Sequence, residues 1–88
     1  MSPCLKKNKQ IFDSVIFRAL ACHQTQEQLV RRPWQVLEDA GMVLPHEVTF
    51  RLQTHEVHIR LDYPEAIFEV VMPLAEHLVG RIRAAAVA

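Results

Sequence analysis

The chain is predicted to be a small α+β domain, and three patterns in its sequence say so. Ile11, Phe12, Val15, Ile16, Ala19 and Leu20 recur at spacings of three and four, the stripe of an amphipathic helix. Apolar and polar residues alternate over 48–53 and again over 57–62, the period of a strand with one buried face. Between these two regimes Pro33, Gly41 and Pro45 punctuate the chain as helix start, helix stop and barrier to helix resumption. The expected order is helix, helix, strand, strand, strand, helix. It comprises N-terminal helices, a small antiparallel sheet of two or three strands, and a C-terminal helix.

Residues 1–8 are expected to form a flexible N-terminal arm, because Ser2-Pro3 is followed by Lys6, Lys7 and Lys9. Residues 9–88 then make a single domain. The first helix is expected from Lys9, with Asp13 and Arg18 off its apolar stripe. Thr25 and Gln28 have capping-box spacing, so a kink or restart at Gln26 is favoured over a first helix running through, with Leu29 and Val30 rejoining the apolar face. Pro33 suits a first helical turn, where its missing N–H costs nothing. Trp34, Leu37 and Ala40 share one face of the turns that follow. Gly41 is a natural residue for the left-handed conformation that closes a helix.

In the first strand Val48, Phe50 and Leu52 are the apolar residues; in the second they are Val57, Ile59 and Leu61. The parity changes from even to odd. One straight strand cannot do this, since a one-residue shift sends every side chain to the other face. A turn must lie at Gln53, Thr54, His55 and Glu56, and a hairpin is the simplest solution. Asp62, Tyr63, Pro64 and Glu65 make a second turn. Residues 66–72 read as a third strand ended by Pro73. A last helix is expected from Leu74, with Leu74, Ala75, Leu78, Val79, Ile82 and Ala86 on one face.

Eighty-eight residues make one domain at most. A chain this short buries only about 60–65% of its unfolded surface, so its stability margin is thin and a partner chain would help. Ten basic and ten acidic residues cancel, and no dense basic face argues for nucleic acid. Cys4 and Cys22 form no C-x-x-C or zinc spacing; they read as free thiols in a reducing cytoplasm, with a disulfide between them the unneeded alternative. The basic start leads into no long apolar run, so no signal peptide is expected. The apolar C-terminal stretch is interrupted by Glu76, His77, Arg81 and Arg83, which argues against a membrane span.

The candidates for chemistry are few. His46, His55, His58 and His77 invite a metal hypothesis, but His55 and His58 lie three apart across a turn and a strand and do not share a face. Solvated histidines are the simpler reading, and neither a metal nor a cofactor is expected. With glycine only at Gly41 and Gly80, no phosphate-binding loop or nucleophile elbow exists, and no catalytic residue is assigned. Trp34 reads as a helix-to-sheet packing anchor or as an interface hot spot. The residues named as candidate partner contacts are Trp34, Val48, Phe50, Val57, Ile59, Leu78 and Ile82.

Pro33, Leu37, Gly41, Leu44-Pro45, Val48, and Thr54 with His58 follow one another in an order that resembles the nitrile hydratase α-subunit family. The likeness is greater to its offshoot, the nitrile-hydratase-like leader peptides of ribosomally made natural-product precursors. Val70, Val71, Met72 and Pro73 resemble the apolar strand and proline near a leader's end, so the resemblance covers residues 12–73. Arg32 stands where that family has an Asp, removing the side-chain N-cap. The family's enzyme holds its metal in a C-x-x-C-S-C claw, and this chain has no cysteine after Cys22. The resemblance therefore implies the scaffold without nitrile hydration. After the lone Gly80 the sequence RIRAAAVA contains no Cys, Ser or Thr for the cyclisation chemistry of such precursors.

The function expected is that of a non-catalytic, leader-like recognition domain, a precursor of a ribosomally synthesised modified peptide or a free-standing relative of one. Its partner would be a peptide-maturation enzyme or exporter, reading the edge strand of the hairpin by strand addition. The alternative is a self-associating interaction protein, a homodimer joined through Trp34 and the C-terminal helix.

Overall fold

A computed structural model describes residues 3–75. It contains three helices followed by a three-stranded antiparallel sheet: α1 (Pro3–Ala21), α2 (His23–Arg31), α3 (Pro33–Asp39), β1 (Glu47–Leu52), β2 (Glu56–Asp62) and β3 (Ile67–Pro73). The fold is α+β. The C-terminal helix expected from Leu74 falls almost wholly outside the described residues.

α1 begins at Pro3, not at Lys9, so the segment read as an arm is helix through most of its length. The apolar stripe extends backwards through buried Leu5 and Asn8 to join Phe12, Val15, Ile16 and Ala19. The lysine run masks this in the sequence, because Lys6, Lys7 and their neighbours occupy the turns' outer side while Leu5 faces in. Asn8 is buried but fully engaged. Its amide nitrogen donates to the Val43 carbonyl at 3.0 Å, and its oxygen accepts from the Val43 N–H at 3.2 Å. Tyr63 adds a hydroxyl donation to the same carbonyl at 2.8 Å. Burial raises the Tyr63 phenol pKa, only partly offset by the Asn8 hydrogen bond, so the phenol stays protonated and able to donate.

The helices break at two non-helical residues. Cys22 (φ −136°, ψ 118°) separates α1 from α2, so the second helix starts at His23 rather than at Gln26. Gln26 is instead buried with Leu29 and Val30. Arg32 (φ −139°, ψ 64°) separates α2 from α3 and caps nothing with its side chain, while Pro33 opens the new helix. α3 closes as the sequence predicts. Gly41 has φ +102°, its N–H donates to the Glu38 carbonyl at 2.9 Å, and the Met42 N–H donates to the Leu37 carbonyl at 3.1 Å. These paired bonds form a Schellman motif, which pulls buried Met42 back toward buried Leu37.

The parity switch is resolved by a hairpin. β1 and β2 pair with Val48 opposite Leu61, Phe50 opposite Ile59 and Leu52 opposite Val57. Even residues of one strand thus share a face with odd residues of the next. β3 continues the meander, with Phe68 opposite Leu61, Val70 opposite Ile59 and Met72 opposite Val57. One face of the sheet is therefore a continuous apolar surface, and β2 is its fully buried centre line. The helices cross that face. α1 lies over the β3 side, where Phe12 meets Phe68 with centroids 6.0 Å apart. α3 lies over the β1 side, where Trp34 meets Phe50 edge-on at 6.5 Å. Among the described residues no helix is long and apolar enough to cross a membrane.

Candidate docking surfaces

The hydrogen-bond phase of the sheet decides which backbone groups are open. The Tyr63 N–H donates to the Ala66 carbonyl and the Leu74 N–H to the His55 carbonyl, both at 2.8 Å. These pairs fix the β2–β3 ladder: in an antiparallel pair hydrogen-bonded residues alternate, so even residues of β3 face β2. The N–H and C=O groups of Ile67, Glu69 and Val71 point outward. On the other side the Gln53 N–H donates to the Glu56 carbonyl at 2.9 Å. By the same alternation Val48, Phe50 and Leu52 present their backbone groups at the β1 edge. Neither edge has a partner strand among the described residues.

The two edges differ in their surroundings. Beside β3 runs a groove of about 350 Å³ between that strand and α1. It is lined by Phe12, Ile16, Phe17, Leu20, Ile67 and Phe68 among others. Phe17 is 73% exposed, Leu20 54% and Ile67 56%, so part of the lining is apolar side chains standing in water. At one end Lys9 pairs with Asp13 at 2.6 Å and sits 5.9 Å from the Phe68 ring centre. The β1 edge carries the half-buried Trp34, Val48 and Phe50, with Leu52 exposed.

The structure thus sorts the residues picked from the sequence. Trp34, Val48 and Phe50 come together at the β1 edge. Val57 and Ile59 do not join them: both are 0% exposed on the central strand, covered by helices on one face and flanked by strands on both sides. Alternation reveals which face is apolar but not which strand is central. Leu78 and Ile82 lie outside the described residues. Phe17, Leu20 and Ile67 are not legible from the sequence pattern, because Leu20 fits the apolar stripe of α1 and Ile67 falls within an apolar strand. The available signal was the width of the apolar arc on α1, since Phe17 follows Ile16 directly and falls outside a narrow stripe.

Compared with protein-family models, curated proteins and solved structures, the chain matches none. Its functional reading therefore rests on its own surfaces.

The outer face of the sheet carries a cross-linked polar cluster. Glu69 lies 3.5 Å from His58 and 3.7 Å from Arg60, and Arg60 donates to Asp62 at 3.0 Å. Asp62 is the main cause of the raised Arg60 pKa. His55 sits in the hairpin turn and His58 on this outer face. Among the described residues no three His, Cys, Asp or Glu side chains converge as metal ligands. Cys22 is exposed at the start of α2. The Thr25 backbone amide first, then the Thr25 hydroxyl and the Gln24 amide, lower its thiol pKa, although no side-chain bond of capping geometry forms. The arrangement offers apolar contact and open backbone hydrogen bonds, which suit binding an extended segment.

Proposed function

We propose that the chain is a non-catalytic recognition domain of the cytoplasm, bound by a peptide-maturation enzyme or exporter in the manner of the leader peptides it resembles. The observation that supports this reading is the α1–β3 groove, where an open strand edge runs beside exposed Phe17, Leu20 and Ile67. A partner segment added to that edge bonds to the outward groups of Ile67, Glu69 and Val71. Alternate side chains of the segment then enter the groove against Phe12, Ile16 and Phe68. Main-chain bonds supply affinity in this mode, and the apolar walls select the side chains.

The test uses the cyclodehydratase, lanthionine synthetase or peptidase-transporter encoded beside the gene for this chain. Titration calorimetry is expected to give micromolar binding, and Phe17→Asp to weaken it about tenfold or more by placing a charge in a desolvated wall. Phe17 is largely exposed, so the variant keeps its fold, which circular dichroism checks. Absence of any such neighbouring gene, or equal affinity for the variant, overturns the proposal.

A further inference from the structure

The β1 edge carries a charge pattern that matches itself. Its outer face presents Glu47, Thr49 and Arg51 in that order, and its apolar face presents Val48, Phe50 and Leu52. Arg51 has no ion-pair partner among the described residues. A two-fold axis perpendicular to the sheet keeps both apolar faces on one side and sets open amides against open amides. The register then follows from charge. With the axis at Thr49, Glu47 of each copy lies opposite Arg51 of the other, and Val48 lies opposite Phe50. With the axis at Phe50, Arg51 meets Thr49 and Glu47 meets Gln53, leaving both charges unmatched. With the axis at Arg51, like charges face each other, which is destabilising.

We propose that a second copy of this chain occupies the β1 edge, in an antiparallel β1–β1 pairing centred on Thr49 that joins two three-stranded sheets into one of six. The pairing caps the edge amides of Val48 and Phe50 and covers the half-exposed Trp34–Phe50 pair at the seam. β3 offers no equivalent. Its described edge contains no basic residue to face Glu69, and Pro73 removes one donor. The surface is separate from the α1–β3 groove, so the dimer and the recognition function fail or survive independently.

The test uses disulfide trapping in a chain carrying Cys4→Ser and Cys22→Ser, since both native thiols are exposed and free. Thr49 on the axis forms a non-hydrogen-bonded pair with its own copy, a Cα separation of about 4.5 Å that a disulfide spans. Thr49→Cys is expected to oxidise to a covalent dimer. Arg51→Cys is expected to remain monomeric under the same oxidant, because its symmetry mate is roughly 13 Å away along the strand. Sedimentation velocity without oxidant supplies the second measurement. Arg51→Glu raises the dimer Kd about tenfold by turning two attractive pairs into repulsive ones, and adding Glu47→Arg restores it to within about threefold. A wild-type chain that stays monomeric at about 1 mM overturns the proposal. So does trapping at position 51 in preference to 49, or a double variant no tighter than Arg51→Glu.

Discussion

Ile59→Ala separates a buried centre strand from a binding surface. Ile59 is 0% exposed, lies between Phe50 and Val70 in the sheet, and sits beneath the helix layer. Truncation removes three carbon groups. Lost transfer free energy is about 0.8 kcal/mol for each, and the unfilled cavity adds to it, for a total of about 3–4 kcal/mol. A domain of this size has about 4–13 kcal/mol in all, so the variant loses a large share of its stability. Urea unfolding, followed by Trp34 fluorescence and far-UV circular dichroism, is the assay. With a slope of about 1–1.5 kcal/mol per molar urea, the midpoint falls by about 2–4 M. Val71→Ala is the control, because Val71 lies opposite His58 on the outer face and is 54% exposed. It should cost under about 1 kcal/mol. Equal effects of the two substitutions, or an Ile59→Ala chain of unchanged stability, would refute the assignment of β2 as the core.

Three further outcomes follow from single residues. Gln26→Leu removes the bonds to the Pro73 carbonyl at 3.1 Å and from the Ala75 N–H at 3.0 Å, and should cost about 1–3 kcal/mol in urea unfolding. Hydrogen exchange at the Ala75 amide should quicken in the same variant. Gly41→Ala meets no steric obstacle, its nearest contact being Ile11 Cδ1 at 3.7 Å, yet its φ of +102° should cost about 1–2 kcal/mol in thermal or urea unfolding. Cys22 should be alkylated by iodoacetamide at a lower pH than a free model thiol, because its lowered pKa extends the thiolate downward in pH. Mass spectrometry of the modified peptide reads this directly, and an unshifted pH profile contradicts it.

The strands were the most legible part of the chain. Alternation through Val48, Phe50 and Leu52, then Val57, Ile59 and Leu61, admits a hairpin and excludes a single strand, because side-chain direction has a period of two. Pro33 and Gly41 were equally clear, since each requires a backbone conformation that few other residues satisfy. The helical starts were less so. Leu5 and Asn8 are separated from the rest of the stripe by charged residues, and a polar residue on an apolar face reads as a break. Asn8 and Gln26 hold distant backbone segments, Val43 in one case and 73–75 in the other. Nothing near them in sequence announces those partners. The docking surfaces depend on strand order and ladder phase, which are properties of the assembled sheet. Alternation places Trp34, Val48 and Phe50 on faces that meet, but it also places Val57 and Ile59 among them and cannot show that β2 is the central strand.

The most direct test of the proposed recognition role at the β3 edge is amide hydrogen exchange on the chain with and without a candidate maturation enzyme or exporter. Free chain should exchange rapidly at Ile67, Glu69 and Val71 and slowly at Phe68, Val70 and Met72, which face β2. Partner binding should slow the first three and leave the second three unchanged. Partner-induced protection confined to other segments, or no slowing at Ile67, Glu69 and Val71, would contradict the account.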